Sequence, residues 1–260
     1  MVILAYCKIK KYYRGESISL SQTKSNTSFI YIVALICLIA VAIFMFSKSD
    51  FFFVNNISTE GLNNVAEDEV AKLLGTVKGE NIFLVDTGAL AQKVKLHPLI
   101  NDAVITKKYP GTLVIRIQER MPAALILNKD KMVEVDLQGV ILRYYDTWPQ
   151  KDSPVVTGIK VPETIGPGQK ITSPGLEKCL RFIGQAPPDL IALFGEIHYG
   201  QDEQLFVYLT SGIEVKMGIG EDYDKKLKLL RELLASTEFK IMEKAIKYID
   251  LTAGKPVLGR

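Results

Sequence analysis

NDAVITKKYPGTLVIRIQERMPAA, residues 101–124, decides the fold. From residue 112 it alternates. Leu113, Ile115 and Ile117 fall on one side, and Val114, Arg116 and Gln118 on the other, the period-2 pattern of a strand buried on one face. Residues 101–109 form a second run, and Pro110-Gly111 between the two supplies a turn, so the pair reads as a hairpin. Glu119-Arg120 at the strand end reads as a solvated pair, worth under about 1 kcal/mol. Pro122 lacks a backbone donor and interrupts strand pairing, so a seam between two domains is expected there.

Toward the N-terminus, Pro98 closes a helix that Asp86 caps, with Leu90, Val94 and Leu96 inward. Ile82-Phe83-Leu84-Val85 is a short apolar link after a turn at Gly79-Glu80-Asn81. An earlier helix is predicted over 66–74, with Asn64 as its cap. Glu67, Asp68 and Glu69 lie in its first turn, where the helix dipole favours acids. Val70, Leu73 and Leu74 make its apolar face, and Gly75 stops it. Phe51-Phe52-Phe53-Val54, followed by Ile57, reads as an interfacial aromatic cluster running into a first strand that Gly61 ends. Residues 50–121 thus run strand, helix, helix, strand, strand, which makes a three-stranded sheet with two helices on one face.

Ahead of this unit stands FIYIVALICLIAVAIFMF, residues 29–46, without charge, Pro or Gly. As a helix it spans about 27 Å, close to a bilayer core. A buried core helix would carry a polar stripe. A cleaved signal peptide would have a shorter apolar run and small residues at its cleavage site, which Ser47-Lys48-Ser49 resembles only loosely. The segment reads as a transmembrane helix. Residues 1–28 carry a net charge of +4 and residues 51–260 a net charge of −1. Basic residues beside a spanning helix favour the cytoplasmic side, so 1–28 is expected to be a cytoplasmic tail with the remainder outside. This balance is a topology signal and gives no sign of a nucleic-acid surface. Of the three cysteines, Cys7 and Cys37 belong to the front end, and Cys179 alone lies in the exported part, where it has no disulfide partner.

Beyond the seam the chain is strand-rich. Strands are predicted over 123–127, 131–135, 140–145 and 155–156, then an exposed Pro/Gly-rich loop over 158–174. Ser173-Pro174 starts a helix with Leu176, Cys179, Leu180 and Ile183 inward. Pro187-Pro188 breaks the chain. A meander follows over 191–199, 204–209 and 213–217, then a helix capped by Asp222 with Leu227, Leu230, Leu233 and Leu234 on its apolar face. Residues 245–252 read as a last strand and 253–260 as a loose C-terminal tail. The fold class is α+β: a transmembrane helix at 29–46, a β-α-α-β-β domain at 50–121 and a mixed β-rich domain with flanking helices at 122–252.

No catalytic, cofactor or metal constellation emerges. His97 and His198 are isolated, Gly166-Pro167-Gly168 has no strand-to-helix junction to hold it, and Cys179 reads as inert core.

Taken together, several of these features are specific. They are Val54 and Ile57 before Gly61, Gly79-Glu80-Asn81-Ile82-Phe83 with Asp86, Pro98, Ile100, Ala103 and Val104, the aromatic-Pro pair Tyr109-Pro110, and the run from Leu113 to Ala124. In this order, directly after a single anchor, they resemble the POTRA domain of the bacterial cell-division family FtsQ, called DivIB in Gram-positive bacteria. The resemblance implies no enzyme. It implies a scaffold at the division septum that gathers FtsB/DivIC-like and FtsL-like single-pass proteins outside the membrane and links them to cell-wall synthesis. It also implies that the partner binds the last strand of the β-rich domain. The expected site is Lys247, Tyr248, Ile249, Asp250, Leu251 and Thr252, on a strand placed at a sheet edge, with Ile249 and Leu251 toward the core and Tyr248 displayed. Two other readings stay open at this stage: a POTRA-containing transport or outer-membrane assembly component, and an anchored extracytoplasmic hydrolase.

Overall fold

A computed structural model describes residues 27–128, 131–149, 153–162, 164–220 and 222–260. The expected tail over 1–28 lies outside the described residues as far as residue 26; Thr27 and Ser28 already belong to a helix. That helix, α1 (Thr27–Ser47), has 21 residues and buries none of them. At about 31 Å it is long and apolar enough to cross a bilayer. It forms one unit with residues 48–49, and residues 50–260 form another.

In the second unit a three-stranded sheet has the order β1-β3-β2, from β1 (Asn56–Glu60), β2 (Ile100–Lys108) and β3 (Thr112–Glu119). The central β3 pairs parallel with β1 and antiparallel with β2. Its alternation holds: Leu113, Ile115 and Ile117 are buried and Arg116 is exposed. Helices α2 (Glu67–Leu74) and α3 (Thr87–Val94) cover that apolar face with Val70, Leu74, Leu90 and Val94. Asp86 caps α3 by accepting from the backbone N–H of Ala89. Gly61 ends β1 with φ +88, and a Cβ there would run into the carbonyl of Ile117.

Three details differ from the sequence reading. Leu96 points outward, because α3 ends at Val94 and the chain turns before Leu96 meets the core. Asn64 does not cap α2; the cap position is Ala66, with no side-chain bond. The backbone N–H groups of Asn63, Asn64 and Val65 donate instead to the carboxylate of Glu119 at 2.8–2.9 Å. Glu119 and Arg120 are therefore not a solvated pair. Glu119 binds the loop before α2, and Arg120 reaches the other way.

The second sheet has nine strands in the order β12-β11-β10-β9-β8-β7-β4-β5-β6. They are β4 (Pro122–Asn128), β5 (Lys131–Asp136), β6 (Ile141–Tyr145), β7 (Val155–Thr157), β8 (Phe194–Tyr199), β9 (Leu205–Leu209), β10 (Glu214–Gly218), β11 (Tyr248–Asp250) and β12 (Val257–Gly259). Helices α4 (Pro174–Gln185) and α6 (Tyr223–Ala235) bury their apolar stripes on one face. Ser173 caps α4. Phe182 anchors this core between Phe194 and Tyr223, with ring centroids at 5.6 and 5.2 Å. Cys179 is fully buried, and loss of solvent pushes its thiol up to about 12, so it stays protonated. The core of this sheet shares no residue with that of the first.

The sequence reading again needs correction at places where short elements escape periodicity. Pro187-Pro188 starts a short helix, α5 (Pro188–Ile191), so β8 begins only at Phe194. Residues 158–174 are not simply an exposed loop: Ile171 is fully buried, and the segment closes over β6 through Ile141 N to Gln169 O and Gly168 N to Ile141 O. Asp222 precedes α6 in a left-handed conformation without a side-chain cap. The last strand is shorter than expected: of residues 245–252 only Tyr248–Asp250 form β11, and Ala245 closes a 3-10 turn (Glu243–Ala245) that follows α7 (Thr237–Met242). The supposed loose tail contains β12.

Candidate protein-interaction site

The end of the nine-stranded sheet is built from β10, β11 and β12. β11 runs parallel to β10 and antiparallel to β12, so it is internal and β12 is the edge. The expectation of an edge at 245–252 is thereby corrected: the turn at Gly254-Lys255-Pro256 sends the chain back along β11 and covers it. Glu214 N donates to Lys247 O and Leu251 N to Lys216 O on the β10 side, while Lys247 N donates to Gly259 O at 2.8 Å on the β12 side. By alternation Tyr248 and Asp250 pair with Gly259 and Val257. Leu258 then turns its N–H and C=O outward, where no strand pairs with them among the described residues.

The six expected site residues divide by face. Ile249 and Leu251 are fully buried members of the main core, so their side chains are withheld from any partner. Lys247, Tyr248 and Thr252 are exposed and Asp250 half-buried. Tyr248 lies over Gly259, where a Cβ would collide with its ring, and Lys216 Nζ sits 4.7 Å from the ring centroid on the neighbouring strand. The residue remains 36% exposed, so it is held in place yet accessible. Asp250 Oδ1 accepts from Thr252 N at 2.8 Å and Thr252 Oγ1 at 2.6 Å. These bonds, with Lys216 and Lys226 nearby, hold its carboxyl below the usual range against the opposing effect of burial. Thr252 also lines an open groove of about 550 Å³ with Gln204, Gly218, Ile219, Gly220 and Lys226. The arrangement offers a free backbone edge, a fixed aromatic ring beside it and an ionised carboxylate.

Sequence reasoning missed β12. Its signal was Gly254 and Pro256 ahead of Val257-Leu258, a turn followed by an apolar pair too short for a periodicity test.

Both histidines have structural partners. His97 Nε2 lies 3.0 Å from Glu69 Oε2, and its Nδ1 accepts from Leu99 N at 3.3 Å. His198 Nδ1 lies 2.7 Å from the hydroxyl of Thr157, which donates to Glu196 at 2.6 Å. No group of three metal-ligating side chains converges among the described residues.

Comparison with known proteins bears on most of the chain. The family model "POTRA domain, FtsQ-type" matches residues 52–120, and "Cell division protein FtsQ/DivIB, C-terminal" matches residues 124–252. A Cell division protein FtsQ from Syntrophotalea carbinolica is 26% identical over 240 residues, covering 91% of this chain and 82% of that one. Another from Anaeromyxobacter sp. is 27% identical over 206 residues, covering 78% and 69%. The solved extracytoplasmic domain of the cell-division protein DivIB from Geobacillus stearothermophilus aligns at 20% identity with a TM-score of 0.35, covering 46% of this chain and 96% of that one; a superposition this loose carries no weight here.

Proposed function

This chain belongs to the FtsQ/DivIB cell-division family, and from that membership we propose that it is a membrane-anchored, non-enzymatic scaffold of the division machinery. In this reading α1 spans the cell membrane once, with the basic N-terminal segment in the cytoplasm and residues 50–260 outside. The exported part binds FtsB/DivIC-like and FtsL-like single-pass proteins at the septum and links them to cell-wall synthesis.

The observation that supports this best is the outer edge of β12. An incoming extended segment gains main-chain hydrogen bonds by adding as a tenth strand, and side chains beside that edge give it specificity. Tyr248, Asp250, Lys247 and Thr252 supply those side chains, with Tyr248 as the anchor. Ile249 and Leu251 support the site from below, through the core.

Pull-down of purified FtsB-like and FtsL-like partners by residues 50–260 tests the reading. Leu258→Pro removes an outward donor and leaves the β11–β12 bonds in place. Retention of wild-type binding by the folded variant would move the interface off this edge. A reporter active only outside the membrane, fused after Arg260, tests the orientation; activity from a fusion at Ser25 instead would reverse it.

A further inference from the structure

A second surface lies in the three-stranded part of the 50–260 unit, which adjoins α1 in sequence. Phe51, Phe83, Leu84 and Tyr109 are 58%, 46%, 83% and 55% exposed. Three segments distant in sequence bring them together. Ile82 N donates to Phe52 O and Val54 N to Glu80 O, both at 2.8 Å. Asn55 N donates to Gly111 O at 2.9 Å, and Lys107 Nζ reaches Phe83 O at 3.4 Å. The rings then form a chain, with Phe51–Phe52, Phe52–Phe83 and Phe83–Tyr109 centroids at 5.2, 4.9 and 5.3 Å. Leu84 projects beside them with no core to fill.

Exposed apolar rings clustered this way mark an interaction surface. The chain itself names the occupant. Only residues 48–50 separate α1 from Phe51, a reach of at most about 14 Å. Side chains at that distance from a spanning helix meet the headgroup–acyl boundary, where Tyr109 can keep its hydroxyl among the headgroups while Phe51, Phe83 and Leu84 reach the acyl chains. In the flanking sequence Lys48, Lys78, Lys107 and Lys108 stand against Asp50, Glu80 and Asp86, a net of +1, so no strong field draws the cluster to anionic lipid. A weak apolar contact is enough, because the short tether keeps its effective concentration high.

We propose that Phe51, Phe83, Leu84 and Tyr109 seat this end of the three-stranded unit in the headgroup–acyl boundary of the bilayer. Lipid contact would set the standing position of the exported part and hence the height at which β12 is presented. This inference rests on the reading of α1 as a spanning helix.

The test uses the full chain in phosphatidylcholine bilayers with acyl chains brominated close to the headgroup. The single native tryptophan is first removed by Trp148→Phe. Leu84→Trp then places an indole at the tip, and Phe44→Trp, in a separate chain, places one inside α1. We expect brominated lipid to quench both. Quenching at position 44 without quenching at 84, whether from water or from a protein partner covering the tip, overturns the tip inference and leaves the anchor standing. Quenching at neither position overturns both. Should Leu84→Trp fail to fold, Tyr109→Trp reads the same surface.

Discussion

Arg120 and Asp136 join the two sheets: Nη1 of Arg120 lies 2.7 Å from Oδ2 of Asp136, with side chains 17% and 7% exposed. Arg120 also reaches Gln138 Oε1 at 3.2 Å, and its backbone N–H donates to Leu99 O at 2.7 Å. Asp136 Oδ1 accepts from the N–H groups of Gln138 and Val140, both at 2.9 Å. Both oxygens of this buried carboxylate are thus engaged at the seam. Arg120→Ala should destabilise residues 50–260 by about 3 kcal/mol, because it strands a charge away from water. A denaturation midpoint unchanged from wild type would show that the seam does not depend on this pair.

Glu119 gives the neighbouring loop a pH dependence. Burial raises its carboxyl, but bonds from Asn63, Val65 and Asn64 outweigh that and leave it below its ordinary value of 4.5. A depressed folded value means that the contribution is present above pH 4.5 and is lost as pH falls through the folded value. Glu119→Gln should therefore lower stability by about 2 kcal/mol at pH 7, as expected for bonds to a charged acceptor. Equilibrium unfolding should show the gap between the two proteins narrowing as the pH drops below 4.5; a gap constant with pH would assign the loss to packing.

Adjacent residues of β3 should respond in opposite ways. Ile115 is fully buried, so Ile115→Asp should unfold the three-stranded unit, including a fragment of residues 50–121. Arg116 faces solvent and pairs with Glu60 at 3.1 Å between exposed side chains. Arg116→Glu should therefore shift stability by under about 1 kcal/mol. We propose residues 50–121 as an independently folding domain, since its core is its own. Protease digestion of the wild-type fragment checks this, and rapid cleavage would mean that the seam is needed for folding.

The proposed partner site offers a contrast between two neighbours. Tyr248→Ala should weaken partner binding by about 2 kcal/mol, roughly 30-fold, as for a central aromatic anchor. It should cost the fold only about 1 kcal/mol through the lost contact with Lys216. Ile249→Pro should instead damage the fold, because Ile249 is fully buried and its backbone faces β10. Calorimetric titration beside thermal melts separates the effects; equal partner affinity for wild type and Tyr248→Ala would remove Tyr248 from the interface.

Tyr223 supplies a stabilising change. Its hydroxyl is buried without a hydrogen-bond partner among the described residues, and desolvation pushes its ionisation up to about 12. Tyr223→Phe keeps the ring against Phe182 and removes an unsatisfied polar atom. Unfolding free energy should rise by up to about 1 kcal/mol; a clear loss would reveal a partner for the hydroxyl.

Residues 29–46, the alternation of residues 113–117 and the cap at Asp86 were readable in one dimension. Each rests on local chemistry: an unbroken apolar run, a side-chain period of two, a carboxylate three residues ahead of a free N–H. The same locality made Ile249 and Leu251 legible as core. Strand neighbours at the sheet end were not legible, because pairing is decided between segments far apart in the chain. Val257-Leu258 carries too few residues for a period, and only the space beside β11 makes it a strand. Glu119 and Arg120 show the limit most sharply. Side by side in sequence they look like one exposed ion pair, yet a strand turns successive side chains to opposite faces. Tertiary packing sent one carboxylate to the loop before α2 and one guanidinium to Asp136, and so decided what holds the two sheets together, just as it decided that β12 is the edge strand.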